Sequence, residues 1–443
     1  MISIEDKQRA KNAGSAGMSR RDFLARSAAV VAAPYVLPAS VLGLGGAVAP
    51  SERIGVGFIG VGSRGSAHVR TLVGYPDVQI LAACDPFQSK REQVKQLVEE
   101  RYGGKGGYRG CDTYGDFREL IARDDIDVVV IASPEYWHAL HAAMAAEAGK
   151  DVYVEKALSL TVHEGRALVN RVRRCGRVLQ VGTQQRSSPP FRFACELARN
   201  GYLGKLHTIK VGVPGSRALE EVPPAPVPPG LDYDMWLGPA PYTPYNEIKC
   251  SFNWYFIYDY CVGWIQSWGV HHIDIAQWGA PTLATGRLKV KGTATFPATG
   301  LGNTSVTWRV KYRTADGLVL DFSDNTYHEQ GCRFEGDEGW VHVNRGGIKA
   351  EPASLPGATI KPNEEHLYES VNHHQNFLEC VRTRRDPAAP VEAGHAATTL
   401  TLIGDIATRL GRELVWDWDT ERFVDAEDAN RMLKRSMRSP WMI

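Results

Sequence analysis

The chain has 443 residues, with 51 lysine or arginine and 50 aspartate or glutamate side chains, and its formal net charge is +1. A nucleic-acid partner is not expected, because there is neither a basic footprint nor a run of like charge. The 8 cysteines show no C-x-x-C spacing, which argues against a metal cluster.

The first 49 residues have the pattern of an export signal. Basic residues come first, SRRDFL follows at 19–24, and an apolar stretch with small residues completes the segment. SRRDFL is similar to the twin-arginine signal, whose route exports proteins that are already folded. A retained membrane anchor is the alternative, but Pro34 and Pro38 remove backbone donors that lipid cannot replace.

We therefore predict a cleaved signal peptide over residues 1–49 and a periplasmic or extracellular protein that carries a cofactor installed before export. No stable membrane insertion is expected after processing. If the signal is not cleaved, the protein remains anchored to the membrane.

A glycine-rich turn follows the first predicted strand. Residues 54–72 read IGVGFIGVGSRGSAHVRTL, which is an apolar strand, a G-x-G-x-x-G turn and a stretch with helical spacing. In such a unit Gly60 makes the tight turn, Gly62 lets phosphates approach the backbone, and Gly65 lets helix and strand pack closely. The amides at the helix start, which includes Ser63 and Arg64, face a pyrophosphate. The pattern predicts a dinucleotide site of the Rossmann type.

An acidic residue ends the next predicted strand. VQILAAC at 78–84 is followed by Asp85, placed where a carboxylate accepts hydrogen bonds from the ribose hydroxyls. The same carboxylate repels a 2′-phosphate, so we predict NAD rather than NADP. The alternative is that Asp85 only caps a helix beginning at Pro86.

Strands and helices continue to alternate up to residue 182. Apolar strands are predicted at 127–132, 151–155 and 177–182, with helices at about 138–148 and 162–174. Apolar strands separated by helices indicate a parallel sheet covered on both faces, and ligands bind beyond the carboxyl ends of its strands. The polar or aromatic residues at those ends are Ser133, Trp137, His138, Glu155, Lys156, Gln184 and Arg186.

The pattern changes after about residue 205. Residues 214–245 are rich in proline and have no period, which predicts a long loop or lid. A helix is expected at about 263–278, and alternating strands between 287 and 344 predict a largely antiparallel sheet. Helices at about 364–384 and 393–411 close the chain.

The predicted fold is α/β. An N-terminal doubly wound parallel sheet over residues 53–183 is followed by an α+β domain with an open, mostly antiparallel sheet over residues 184–443. The end of the chain is expected to pack back on the first domain.

Taken together, these motifs resemble the Gfo/Idh/MocA family, named after glucose-fructose oxidoreductase, inositol dehydrogenase and MocA. The resemblance rests on the glycine turn, Glu155-Lys156, GTQQR at 182–186, the helix with Gly269, His271 and Asp274, and the ending GRELVWD. It implies that Lys156 lies beside the nicotinamide and the substrate hydroxyl. It also implies an Asp and a His four residues apart on the second-domain helix.

Two positions depart from the family pattern. Ala157 stands where a proline usually follows the Glu-Lys pair, and Ser267 stands where the helix usually has its aspartate. The second departure removes a carboxylate expected to help deprotonate the substrate.

Oxidation of a secondary alcohol needs a base within hydrogen-bond reach of the hydroxyl. We predict Lys156 and His271 for this role, against the alternatives of a surface lysine and a packed helix histidine. Ser133 and Glu155 are predicted to join Lys156 and the glycine turn in binding the cofactor. A metal at His271, His272 and Asp274 is not predicted, because position 272 does not share the helix face of the other two.

Aromatic faces and bidentate donors suit hydroxyl-rich rings, with local packing as the alternative at each position. The predicted substrate contacts are Trp137, His138, Gln184, Arg186, His271 and His272.

An exported NAD has no soluble pool to reoxidise it, so the bound cofactor must be reset within each cycle. We predict an NAD(P)-dependent oxidoreductase that transfers hydride between a carbohydrate hydroxyl and a tightly bound cofactor. A redox-neutral NAD-dependent glycoside hydrolase, which oxidises C3, eliminates, adds water and returns the hydride, is one alternative. A non-catalytic sugar-binding protein is another. A homodimer or homotetramer is expected to form through the exposed face of the antiparallel sheet.

Overall fold

The computed structural model describes residues 48–49, 52–103, 108 and 110–443. The described residues between Ile54 and Ile443 form one compact unit. The predicted export signal lies outside the described residues, apart from Val48 and Ala49. Within the described residues, none of the helices combines the length and apolarity needed to cross a membrane.

The first sheet has six parallel strands in the order β3-β2-β1-β4-β5-β6. These strands are β1 Ile54–Ile59, β2 Val78–Cys84, β3 Asp112–Tyr114, β4 Val128–Ile131, β5 Asp151–Val154 and β6 Leu179–Val181. The helices of this region are α1 Ser63–Leu72, α2 Gln88–Tyr102, α3 Phe117–Ile121, α4 Glu135–Glu147, α5 Val162–Cys175 and α6 Pro189–Arg199. The apolar runs of β1, β4 and β5 are buried throughout, as expected for strands covered on both faces.

The second sheet has nine strands in the order β13-β12-β11-β7-β10-β9-β8-β14-β15. These are β7 Leu206–Val213, β8 Arg287–Thr295, β9 Thr307–Thr314, β10 Val319–Asp324, β11 Gly331–Gly336, β12 Gly339–Asn344, β13 Gly347–Glu351, β14 Leu414–Asp417 and β15 Arg422–Phe423. All neighbouring pairs are antiparallel except β7 and β10, which run parallel. The prediction of a mostly antiparallel sheet is confirmed, but its interior strand β7 was not predicted.

The remaining helices are α7 Tyr233–Leu237, α8 Trp264–Ser267, α9 Gly269–Gly279, α10 His373–Thr383, α11 Val391–Leu410 and α12 Glu427–Arg431. Short 3₁₀ turns lie at Gln184–Ser187, Phe252–Phe256, Pro281–Ala284 and Leu355–Gly357.

Three helix predictions need correction. Helix α4 begins at Glu135 rather than His138, because Pro134, which has an extended backbone and no amide proton, occupies the N-cap position. Trp268 divides the predicted helix at 263–278 into α8 and α9. Helix α10 begins well after residue 364, because the Asn372 side chain accepts a hydrogen bond from the Gln375 amide and caps the helix there.

The two sheets share packed helices. Helix α11 lies against β8 and also against α5 and α9. Phe377 of α10 packs on Tyr153 of β5, with ring centroids 5.8 Å apart. Arg435, near the end of the chain, forms a 2.7 Å ion pair with Glu164 of α5. The C-terminal segment therefore lies against the helices of the parallel sheet.

Candidate active site

A cavity of about 640 Å³ lies at the carboxyl ends of the parallel strands, where α8 and α9 face them. Its walls come from both sheet regions. The predicted site residues that line it are Gly60, Gly62, Ser63, Arg64, Asp85, Ser133, Trp137, His138, Glu155, Lys156, Gln184 and His271.

The glycine turn forms one end of the cavity. A side chain at Gly60, whose φ is +79°, would overlap the Ser133 backbone, and one at Gly65 would overlap the Gly60 carbonyl. At Gly62 an added Cβ would meet no protein atom within 4 Å. Helix α1 has no side-chain cap at its start, so its first amides are open to the cavity. This end fits a dinucleotide phosphate.

Asp85 is buried beside the glycine turn. Its carboxylate accepts hydrogen bonds from the Val61 amide at 2.9 Å and the Phe87 amide at 3.0 Å. Burial raises the pKa of Asp85. The carboxylate does not cap α2, which begins at Gln88 without a side-chain cap. Because each oxygen keeps a second lone pair, Asp85 can still accept from a ribose hydroxyl.

Glu155 is a buried carboxyl group with two side-chain partners from α1. It accepts hydrogen bonds from Arg64 Nε at 2.7 Å and His68 Nε2 at 2.9 Å. Burial alone raises the pKa of Glu155, but the His68 hydrogen bond and the Arg64 charge outweigh it and hold the pKa well below its usual value. Glu155 is therefore ionised, and its Oε2 accepts a 3.3 Å hydrogen bond from the Lys156 amide.

The Lys156 amino group bridges the two halves of the site. It donates a 2.8 Å hydrogen bond to Ser267 Oγ and lies 3.9 Å from Glu135 Oε1. Its side chain is only 15% exposed, which does not fit an ordinary surface lysine. The peptide bond between Lys156 and Ala157 is cis.

Glu135 is a site residue that the sequence analysis missed. Its side chain is 1% exposed, and its two oxygens accept from the Ala157 amide at 3.3 Å and the Cys261 thiol at 2.9 Å. The signal was present, because an acidic residue directly after a parallel strand lies at the ligand-binding edge. Starting the helix at His138 left Glu135 in an unassigned loop.

His271 has a free nitrogen in the cavity wall. Burial, followed by the nearby charges of Lys156 and Arg345, lowers the pKa of His271 well below its usual value. Its Nδ1 is buried without a hydrogen-bond partner among the described residues, and its ring packs against Trp268 at 5.9 Å. The ring is therefore neutral, and no described residue engages its Nδ1.

Two predicted substrate contacts lie outside the cavity wall. Arg186 forms a bidentate ion pair with Asp274, at 2.7 and 2.8 Å, in the protein interior. His272 Nδ1 contacts Gln185 Nε2 at 3.3 Å, and its ring faces Phe191. Arg186 and His272 thus hold α9 in place, so the substrate role predicted for them is not supported.

Three other predicted substrate contacts line the cavity, but they differ in whether they offer a ligand a free polar atom. His138 has both ring nitrogens against backbone carbonyls, those of Ser133 at 2.7 Å and Ala157 at 2.6 Å, so it orders the site instead of offering a free nitrogen. Trp137 stacks on His141 and forms a wall. Gln184 Oε1 is buried without a hydrogen-bond partner in the described chain and is free to accept from a ligand.

The second domain contributes residues that the sequence did not single out. Trp254 and Tyr255 stack at 3.8 Å, and both rings line the cavity together with Trp264, Trp268 and Arg345. Tyr255 covers Lys156, whose nitrogen lies 5.6 Å from the ring centroid. Among the residues that the structure describes, no group of three or more His, Cys, Asp or Glu side chains is arranged to hold a metal ion.

The proline-rich segment predicted as a lid, residues 214–245, lies against the end of the cavity that contains Asp85. Leu231 forms a bridge with Phe87, and the Gln88 amide donates to the Gly230 carbonyl at 2.8 Å. Met235 and Trp236 of α7 line the cavity there.

Among curated proteins, glycosyl hydrolase family 109 protein 1 of Shewanella sp. (strain ANA-3) is 36% identical over 171 residues, which cover 35% of this chain and 37% of that protein. The alpha-N-acetylgalactosaminidase of Shewanella oneidensis is 37% identical over 158 residues, which cover 35% of this chain and 34% of that protein. The matched region spans about a third of the length of these relatives.

Two solved structures show the same fold. GenD2 from gentamicin A biosynthesis, in complex with NAD, has a TM-score of 0.59 at 20% identity, covering 83% of this chain and 97% of that one. The aldose-aldose oxidoreductase from Caulobacter crescentus, complexed with glycerol, has a TM-score of 0.59 at 18% identity, covering 82% and 99%.

Family models account for most of the chain. Residues 54–183 match the oxidoreductase family's NAD-binding Rossmann fold, and residues 214–443 match its C-terminal alpha/beta domain. The chain therefore belongs to the Gfo/Idh/MocA oxidoreductase family.

Proposed function

We propose that the protein oxidises a secondary hydroxyl of a carbohydrate with a tightly held NAD that is reset within the catalytic cycle. One observation carries this proposal. The Lys156 amino group, fixed by Ser267, lies in the same cavity as an uncapped glycine turn and helix start.

The residues present fit NAD. The first amides of α1 would hold the pyrophosphate, Asp85 the adenosine ribose, and Glu155 with Lys156 would lie at the nicotinamide end. NAD is favoured over NADP because a 2′-phosphate would approach the Asp85 carboxylate. When bound, the cofactor supplies an acceptor for hydride from the sugar carbon.

The chain's own residues handle the proton. The Lys156 amino group, held by Ser267 Oγ, takes the hydroxyl proton, and the Glu135 carboxyl group lies 3.9 Å away. His271 lines the same cavity, and its Nδ1 has no partner among the described residues, which makes it the second candidate to take a proton. Gln184 Oε1 accepts from another hydroxyl and so orients the ring.

A redox-neutral glycosidase is the second candidate, favoured by the curated relatives named glycosyl hydrolase family 109 and alpha-N-acetylgalactosaminidase. In this cycle Lys156 would take the proton of the C3 hydroxyl while the C3 hydride passes to the bound cofactor, and the resulting ketone acidifies the C2 proton. His271 would take the C2 proton as the aglycone leaves C1 and a double bond forms between C1 and C2. Water would then add across that double bond, and the hydride would return to C3.

The deciding experiment incubates the purified protein, without added cofactor, with free sugars and nitrophenyl glycosides. An oxidoreductase should either change the nicotinamide absorbance or oxidise one sugar while it reduces another. A glycosidase should release nitrophenol without a net change in the redox state of the cofactor. Denaturation should release NAD rather than NADP. Absence of any nicotinamide in the supernatant would contradict the proposal.

We also propose export by the twin-arginine route to the periplasm or beyond. The support is the SRRDFL motif. Replacing Arg20 and Arg21 with lysine should leave the protein in the cytoplasmic fraction, and unchanged export would reject this route.

A further inference from the structure

Arg345 is a cavity-lining cation held without an acidic partner. It lies in the turn between β12 and β13, and its Nε and Nη2 each donate to Gln185 Oε1 at 3.3 Å. Its guanidinium carbon lies 4.9 Å from the Trp268 ring centroid. No carboxylate oxygen of the described residues lies within 4.0 Å of an Arg345 guanidinium nitrogen, the distance that defines an ion pair. The other arginine that lines the cavity, Arg64, is paired with Glu155.

The position of this cation is electrostatically unfavourable in the protein alone. Burial, followed by repulsion from Arg64, lowers the pKa of Arg345. A guanidinium that is partly removed from water and fixed in place without a counter-charge is stabilised when an anion binds to it.

The anion would lie on the substrate side of the cavity. Arg345 shares Trp268 with His271, and its charge is one cause of the lowered pKa of His271. The adenosine end, marked by Asp85 and Lys90, is lined by other residues of the first domain.

We propose that Arg345 binds the carboxylate of an acidic sugar, so that uronic acids or their glycosides are the preferred ligands of this cavity. The planar guanidinium has five donors in a fork that matches a carboxylate, and Gln185 engages two of them. The sugar part rests on the proposed function, whereas the anion site rests on Arg345 alone.

The test measures binding to the NAD-loaded protein by titration calorimetry with two matched pairs, glucuronate with glucose and galacturonate with galactose. We expect each acid to bind about 10- to 100-fold more tightly than its neutral partner, the range of a charge-assisted hydrogen bond. Arg345→Gln, which keeps a polar side chain but removes the charge, should abolish this difference and change neutral-sugar affinity by less than about 3-fold. Arg345→Lys should keep part of it.

Arg333→Gln is the matched control. Arg333 also stacks on a tryptophan of the second sheet, 3.8 Å from the Trp340 ring centroid, but does not line the cavity. This variant should keep the full preference for the acids.

Equal binding of acid and neutral sugars by the wild type, or an acid preference that survives Arg345→Gln, would overturn the proposal. Loss of NAD from Arg345→Gln would assign the charge to a dinucleotide phosphate instead, and also overturn it. If the acids bind through Arg345 and no sugar is turned over, the proposed function fails while the anion site stands. Turnover of neutral sugars without acid preference supports the function and rejects the anion site.

Discussion

The amino group of Lys156 is surrounded by side chains from three distant parts of the chain. Ser267 accepts its hydrogen bond, Tyr255 covers it, and Glu135 is the one carboxylate within 4.0 Å of Nζ among the described residues. Glu135 thus places a negative charge near the position where the helix lacks its aspartate. It approaches from the first domain, not from the helix.

At this scale the first prediction concerns the base. Lys156→Ala and His271→Ala should each lower turnover by about 10² to 10⁴-fold, the usual loss for a general base, while NAD remains bound. Ser267→Ala should cost much less, because only a hydrogen bond that positions Lys156 is removed. Steady-state kinetics on a substrate found in the sugar panel would measure this. An inactive Ser267→Ala beside an active His271→Ala would contradict the assignment.

Glu135→Gln tests the charge balance at Lys156. The variant keeps an oxygen for the Ala157 amide but loses the negative charge beside the Lys156 nitrogen. We expect turnover, measured by steady-state kinetics, to fall about 10-fold or more. The other charged or polar groups near Lys156 are Glu155, Cys261 and His271, which the variant retains.

Glu164→Gln is the control for Glu135→Gln. Glu164 is also buried, but it pairs with Arg435 away from the cavity. Its replacement should reduce thermal stability and leave turnover unchanged. Wild-type turnover in Glu135→Gln would show that this carboxylate does not act on Lys156.

At the scale of elements, the turn between β1 and α1 contains glycines required by protein packing and one glycine that faces open space. Gly60 and Gly65 are required by protein packing, since any side chain there would overlap the backbone. Gly62 faces open space, so its requirement comes from the ligand alone.

Gly62→Val should therefore fold normally and lose NAD. Its side chain enters the cavity where the phosphates would approach, while no protein atom opposes it. The measurements are nicotinamide released on denaturation and thermal unfolding of the NAD-free protein. Gly357→Val, at another glycine with open space around it but outside the cavity, should retain NAD. Full NAD content in Gly62→Val would move the phosphate site elsewhere.

For the whole molecule, the open face of the second sheet is the proposed site of self-association. Trp308 and Val310 of β9 point inward and are buried, whereas Lys311 is exposed on the other face. That face carries ion pairs, including Arg309 with Asp321 at 2.6 Å. An interface here would be polar, so the oligomer should be sensitive to salt.

Light scattering at micromolar concentration should report a dimer or tetramer. Lys311→Glu places a like charge beside Asp321, 3.9 Å from the original nitrogen, and should shift the population toward the monomer. Lys95→Glu, an exposed change on α2, is the control and should not. A monomeric wild type would reject this interface.

Local sequence pattern determined five of the six strands of the parallel sheet, the glycine turn and the location of Lys156 at a strand end, because periodicity and glycine spacing act over a few residues. It did not predict the short edge strand β3. The same pattern identified β8 to β12 but not β7. Strand β7 follows the first domain directly in the chain, and its place in the second sheet depends on pairing with β10 and β11.

Only the tertiary structure decided which candidate side chains face the cavity. Arg186 looked suited to a sugar, yet Asp274, far along the chain, takes its guanidinium. Glu135 and Arg345 were not singled out from the sequence, yet Glu135 lies 3.9 Å from the Lys156 nitrogen and Arg345 lines the cavity. The contacts of Arg186 with Asp274 and of Gln185 with Arg345 join residues 88 and 160 positions apart. Such contacts depend on how the two sheets pack, and local spacing carries no record of that packing.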